Sequence, residues 1–340
     1  MNHILIPSDI DDRVRQAIRF FWKTRNEQIS RQAENDTRDQ GNRGSRMRTE
    51  HKLYHADARN MGFIEDNSAH LVVTSPPYWN LKEYERGVNQ LGVILDYECF
   101  VDELSKVWKE CFRILVPGGR VVCVVGDVCL SRKKNGRHVV MPLHSDIAVS
   151  CRKIGFDNLN PILWHKISNA SFEANNGTSF LGKPYEPNAI IKNDIEYILM
   201  QRKPGGYRKP TSLQRENSKI EKKDYDEWFK QIWTMGGAST RNHPAPFPYD
   251  VATRLVRMFS FYGDTVVDPF CGSGTTMLAA LNCHRNSIGV EVEEKYCKMI
   301  RARMSQPDLF SSSCFSYYAN DDSGIQQDGI VALHENAIAQ

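Results

Sequence analysis

The sequence has no CxxC pair, no His/Cys cluster at zinc-ligand spacing, no Pro-Cys dipeptide and no strong excess of one charge. Each absence removes a class of protein. Nine scattered cysteines (Cys99, Cys111, Cys123, Cys129, Cys151, Cys271, Cys283, Cys297, Cys314) fit buried thiols in a reducing compartment, and no bound metal is expected. No apolar run approaches the roughly 18 residues that span a bilayer. Met1 to Asp9 also lacks a basic-then-apolar leader, so a cytoplasmic location without a membrane partner is expected. The net charge of +3 neither demands nor excludes nucleic acid, which leaves the distribution of charge to decide.

What is present is the profile of a soluble globular chain: 340 residues, 41% apolar and 25% charged. That length fits a large α/β domain, or a core with an inserted module. Ile10, Val14, Ile18, Phe21 and Trp22 recur at helical spacing, and the polar stretch 32–50 that follows reads as a flexible linker. Residues 1–50 are therefore expected to be a helix and linker. Residues 51–167 and 241–307 read as the two halves of the core, 168–240 as a loop-rich insertion, and 308–340 as an unstructured tail. Short β-rich runs at 52–56, 70–74, 120–126, 265–268 and 287–291 alternate with helical patterns at 100–115, 143–154, 248–261, 275–283 and 294–304. This is βαβ grammar, with strands of the kind buried in parallel sheets.

Two strand-to-helix turns carry chemistry. Asp268, Pro269, Phe270, Cys271, Gly272, Ser273, Gly274 and Thr275 form a glycine-containing turn after one strand. No Gly-Lys-Ser/Thr follows, so it is not a phosphate loop, and Met277 replaces the third glycine of a dinucleotide fingerprint. A carboxylate at Asp268 would suit a cationic amino-acid group, and Glu291 at the end of the next strand would accept ribose hydroxyls. S-adenosylmethionine carries both. An unliganded tight turn is the plainer alternative, and the combination of residues favours the ligand.

The second turn is Thr74, Ser75, Pro76, Pro77, Tyr78, Trp79. Paired prolines remove two backbone donors and fix the chain direction, exposing carbonyl acceptors. An exocyclic base amine is a poor nucleophile because its lone pair is delocalised, so a useful site accepts its N–H bonds as a methyl group arrives. Ser75 Oγ and the Pro76 carbonyl could do this, and Tyr78 could stack on a base swung out of a duplex.

These two motifs, in this order, resemble the amino-directed DNA methyltransferases of the N-4/N-6 DNA methylase family, in the arrangement where the catalytic motif comes first. The resemblance covers roughly Lys52 to Arg303. It implies a Rossmann-like fold with a mostly parallel seven-stranded sheet, S-adenosylmethionine as donor, and direct in-line transfer without a covalent intermediate. It assigns Ser75, Pro76, Pro77 and Tyr78 to the catalytic loop, and Asp268, Pro269, Phe270, Gly272, Gly274 and Thr275 to the cofactor loop. Glu291 becomes the ribose contact, and Asp57 an acid near the cofactor's adenine, although Asp57 could equally be a helix cap. The segment from His243 to Pro248 resembles one that closes over the cofactor with Phe247. Trp164 is similar to an aromatic residue that helps hold the extruded base, with buried core as the alternative. Serine at the head of the catalytic motif is commoner among cytosine-N4 enzymes and aspartate or asparagine among adenine-N6 enzymes, so N4 is expected and N6 is the alternative. A cytosine-C5 mechanism needs a Pro-Cys nucleophile, which is missing here.

The insertion carries Lys183, Arg202, Lys203, Arg208, Lys209, Arg215, Lys219, Lys222 and Lys223, with Tyr185, Tyr197 and Tyr207 interleaved. Phosphate contact with double-stranded DNA is expected there, and Asn169, Asn175 and Asn176 join the arginines as possible base readers. By family analogy the partner would be a separately encoded restriction endonuclease of matching specificity. The other function classes left open are a silent DNA-binding regulator and a methylase acting on RNA or protein glutamine.

Overall fold

The computed structural model describes residues 48–79, 90–166, 187, 191, 193–236, 248–305, 313–321 and 324–333. The expected N-terminal helix, Lys183, Tyr185, Asn169, Asn175, Asn176 and Phe247 lie outside these residues. In chain order the elements are β1 (Thr49–His55), β2 (Ala69–Thr74), α1 (Tyr97–Ile114), β3 (Leu115–Val125), β4 (Val128–Leu130), β5 (Val139–Met141), α2 (Leu143–Ile154) and β6 (Asp157–Lys166). Then follow β7 (Ile195–Arg202), α3 (Ser212–Glu216), α4 (Lys222–Trp228), β8 (Ile232–Met235), α5 (Tyr249–Phe259), β9 (Thr265–Asp268), α6 (Thr275–Asn282), β10 (Asn286–Glu291), α7 (Glu294–Met304), β11 (Ser313–Asp321) and β12 (Gly324–Leu333).

Helix α1 shows how local sequence sets an element. Asp96 accepts the Cys99 N–H at 2.8 Å and caps its free N-terminus, while Phe100, Leu104, Val107, Trp108, Cys111 and Ile114 repeat at helical spacing on its buried face. The helix stops before Pro117, and the chain enters β3 directly.

The main sheet has ten strands in the order β12-β11-β1-β10-β9-β2-β3-β7-β6-β8, not the seven expected. The run β1-β10-β9-β2-β3-β7-β6 forms a seven-strand centre, and β8 and the β11–β12 hairpin extend it at either end. β1, β10, β9, β2, β3 and β11 pair in parallel, whereas β7 lies antiparallel between β3 and β6. Alternate residues of β2 serve opposite faces. Val72 joins the core under α1 and α2, and Leu71 and Val73 join the core under α5 and α6.

Two expectations are corrected. The stretch past Asp308 was read as unstructured, yet Ser313–Asp321 pairs in parallel with β1, burying Phe315 and Tyr317, and Gly324–Leu333 folds back on it. Phe315 and Tyr317 are buried only against other elements, Leu53 of β1 and Met277, Leu278, Ile300 and Met304 of α6 and α7, so local pattern gave no sign of the strand. Residues 195–202 were placed in a loop-rich insertion, yet they form β7, a strand inside the sheet. Buried on both sides, β7 shows no alternation of polar and apolar residues to mark it.

The sheet also sets where a ligand can bind. From β9 the chain passes through α6 to β10 on one side, and from β2 through α1 to β3 on the other. The border between β9 and β2 is thus the point where strand order reverses, and in open α/β sheets the crevice outside the carboxyl ends at that point is the binding site.

Candidate active site

Both predicted loops leave the sheet at this switch point. Leu71 and Val72 of β2 are paired with Val266 and Val267 of β9, which brings Ser75 and Asp268 to one edge. Thr74 Oγ1 donates to Asp268 Oδ1 at 2.7 Å across a separation of 194 residues, stitching the base of one loop to the other. Thr74 heads the catalytic turn in the sequence, which gives it no role of its own. A cavity beneath the loops is lined by Asp57, Ser75, Pro76, Pro77, Asp268, Pro269, Phe270, Gly272, Thr275 and Glu291, together with Gln90 to Gly92, Val292 and Tyr296, which sequence reading did not single out.

Asp268 is buried at the end of β9, and its Oδ1 also accepts the Phe270 N–H at 3.1 Å. Burial raises it to about 6, against the opposing hydrogen bonds. Glu291 is buried at the end of β10, where Oε2 accepts the Gly272 N–H at 2.7 Å and Oε1 the Glu293 N–H at 2.9 Å. Burial raises it to about 7, again against its backbone donors. Among the described residues no cation pairs with either acid. Two buried carboxylates without a counter-ion are costly unless a ligand supplies the charge and donors. An α-ammonium and sulfonium for Asp268 and a ribose diol for Glu291 fit that requirement, each Glu291 oxygen keeping a spare lone pair.

The turn between them needs its glycines. Gly272 and Gly274 take φ of +52° and +80°, and a Cβ on Gly274 would stand 3.0 Å from Ile300 Cγ1 of α7. Thr275 opens α6, so that free N–H groups of this helix face the cavity side of the turn. Arg303 donates to the Ser273 carbonyl and braces the turn from behind, a role with no signal in the sequence. Asp57 follows β1, and both its oxygens are held by the Arg59 guanidinium, at 2.6 to 3.1 Å, with Glu103 on the far side of that arginine at 2.6 Å. It lines the cavity as a fixed acceptor.

On the β2 side, Ser75 Oγ lies 3.4 Å from the Tyr78 hydroxyl. Tyr78 is buried in the core under α1 and is not among the residues that line the cavity. Trp79 takes a φ of +42°, a conformation a bulky residue adopts only when its surroundings impose it, and its ring meets Tyr97 edge-on at 5.2 Å.

Trp164 does not stand with these groups. It is 1% exposed in the core under α5, its Nε1 donates to the Met235 carbonyl at 3.2 Å, and Lys166 covers its ring. No ring face is left for a base, so the expected stacking role gives way to a packing one. Three residues of the basic stretch have partners within the fold. Arg202 pairs with Asp157 at 2.8 Å, Lys203 donates to the Leu115 carbonyl at 2.8 Å, and Arg208 clasps the buried Asp264. All three lie at the amino ends of the parallel strands, opposite the cavity, and tie loops to the sheet. Lys219 and Lys222 pair with Glu216 and Asp226 of their own segments.

Residues 69–302 match a family model described as DNA methylase, of the N6/N4 class. A type II methyltransferase of Methanocaldococcus jannaschii, M.MjaI, is 38% identical over 286 residues, covering 75% of this chain and 91% of that protein. Another, M.MthZI of Methanothermobacter thermautotrophicus, is 33% identical, covering 81% of this chain and 82% of its own. Among solved structures, a Thermus thermophilus protein described as a DNA modification methylase and crystallised with S-adenosyl-L-methionine superposes with a TM-score of 0.63 at 52% identity. The match covers 75% of this chain and 93% of that one. PvuII DNA methyltransferase shares the fold at 20% identity and a TM-score of 0.56.

Proposed function

The chain belongs to the DNA methylase family and is an S-adenosylmethionine-dependent DNA methyltransferase of the N6/N4 class, and from that premise we propose that it methylates the exocyclic N4 of cytosine in duplex DNA. The observation that carries the choice of base is Ser75. A neutral hydroxyl heads the catalytic loop where a carboxylate would favour the adenine reading, and it opens onto the same cavity as Asp268 and Glu291.

In this reading Asp268 and Glu291 hold the cationic and ribose ends of the cofactor, the backbone at Gly272 and Gly274 lets it approach closely, and Asp57 faces its adenine. The cofactor, once bound, supplies a methyl group activated by its sulfonium. Ser75 Oγ and the Pro76 carbonyl accept the two N–H bonds of the base amine and favour the tetrahedral nitrogen of the transition state. Pro77 keeps that carbonyl aimed, and Tyr78 stands beside Ser75. The base has to leave the helix stack to reach Ser75. By the company of its type II relatives, a restriction endonuclease of matching specificity is the expected partner, and the cytoplasm the expected location; no described helix is long and apolar enough to cross a membrane.

The adenine reading has one observation in its favour: a DNA adenine methyltransferase of Escherichia coli, YhdJ, is 27% identical over 279 residues. Incubation with unmethylated genomic DNA and labelled S-adenosylmethionine, followed by nucleoside mass spectrometry, separates the two. Label in N4-methylcytosine supports the proposal, and label in N6-methyladenine replaces the base while keeping the chemistry.

A further inference from the structure

A second polar feature stands at the same sheet edge, outside the cofactor cavity. Gly126 follows β3 with no side chain, and a Cβ there would lie 3.8 Å from Tyr78 Cε1, 3.4 Å from Glu196 Cγ and 3.9 Å from Glu196 Oε1. The bare glycine is a notch with the Tyr78 ring edge on one wall and a carboxylate on the other. The same Oε1 is ion-paired with Lys166 Nζ, which also sits 4.6 Å from the centre of the Trp164 ring. Glu196 comes from the start of β7 and Lys166 from the end of β6, and the antiparallel run of β7 brings both to the carboxyl edge that carries Ser75, two and three strands along from β2.

The side chains of this pair are only 16% and 17% exposed. Such a pair is a poor source of stability, because removing two charges from water offsets their attraction, and an apolar pair would tie the strands as well. Its position beside the catalytic tyrosine calls for another use.

We infer that Lys166 and Glu196 form the wall that reads the ring edge of the base brought to Ser75, with Lys166 as a specificity-determining residue that favours cytosine. This rests on the methyl-transfer reading above. A cytosine with N4 at Ser75 and its ring beside Tyr78 presents N3 and then O2 along its Watson–Crick edge, two acceptors in succession. An adenine held the same way presents N1 and then a C–H. Extruded bases are read by hydrogen bonds along that edge. The ammonium has three donors and Glu196 takes one, leaving donors for a charge-assisted bond to the cytosine edge. Glu196 keeps the ammonium aimed. Gly126 leaves the room.

Lys166→Met keeps the stem over Trp164 and removes the charge. With unmethylated genomic DNA, kcat/KM for N4-methylcytosine should fall roughly 10- to 100-fold. The ratio of N4-methylcytosine to N6-methyladenine should fall with it, and calorimetric affinity for S-adenosylmethionine should stay unchanged. Glu196→Gln should move the same readouts in the same direction by less. Gly126→Ala adds a methyl group at ordinary contact distance and leaves the pair intact, so it serves if Lys166→Met fails to fold; it should lower kcat/KM for DNA with unchanged melting temperature and cofactor affinity. Wild-type kcat/KM and an unchanged base ratio in folded Lys166→Met, or in folded Gly126→Ala, would overturn the inference. If the wild-type protein labels adenine alone or no base, the reading of Ser75 is what fails, and the selectivity assigned to Lys166 falls with it.

Discussion

Cofactor binding through Asp268 and Glu291 is expected to be sensitive to acid. Burial raises Asp268 from 3.8 to about 6 and Glu291 from 4.5 to about 7 in the ligand-free protein. Between pH 7.5 and 5.5 both acids lose charge, while the cofactor keeps its sulfonium and its α-ammonium, which stays protonated below about pH 7.7. A cation binds the ionised pair. From the ionised fractions at the two pH values, affinity for S-adenosylmethionine should fall roughly 100-fold on acidification, equivalent to about 3 kcal/mol. Folding of the ligand-free protein moves the other way. A raised carboxylate pKa means the native state keeps protons that the unfolded chain has released, so the cost is full at pH above 7 and is relieved as pH falls toward 4. Calorimetry in buffers of different ionisation enthalpy provides the assay: near pH 6 binding should release about 1.4 protons, and the net release should fall toward zero as pH rises to about 7.5. Glu291→Gln should flatten the upper part of the profile and Asp268→Asn the lower. A dissociation constant that stays within about two-fold across this range, without buffer dependence, would refute the ionised-pair account.

Three further outcomes are expected. Ser75→Ala should slow single-turnover methyl transfer about 10- to 100-fold, the cost of leaving an N–H unaccepted, with calorimetric cofactor affinity nearly intact. Gly274→Ala puts a side chain at φ +80° against Ile300, so urea denaturation should show a loss of about 1–3 kcal/mol together with weaker cofactor binding. Arg208→Met leaves Asp264, 1% exposed, without its guanidinium; it should destabilise the fold by about 3–5 kcal/mol and leave the salt dependence of DNA binding unchanged. A reduced salt slope in that variant would restore Arg208 as a phosphate contact.

The parts of the fold visible in the sequence are those whose signal is local. The turn after β9 pairs a strand-ending acid with glycines, and the span expected for α2, Leu143 to Ile154, is the span observed, because an apolar stripe opens after Pro142 and closes at Gly155 with φ +120°. The failures share a different cause. Trp164 is a stacking candidate by resemblance of its strand, and a strand aromatic reads the same whether its ring faces a cleft or α5. Arg202, Lys203 and Arg208 looked like a phosphate-binding run because their partners, Asp157, Leu115 and Asp264, lie far away in sequence.

The sequence by itself therefore determined the chemistry available: a serine and a carbonyl to receive an amine, two strand-ending acids, and a glycine turn whose backbone no other residue adopts cheaply. Only the tertiary structure decided that these meet. β2 and β9 must lie side by side at the switch point before Thr74 can reach Asp268, and β7 must run antiparallel before Glu196 can stand beside Tyr78. Burial and charge pairing are properties of neighbours in space, and in this protein the decisive neighbours are supplied by strands distant in the chain.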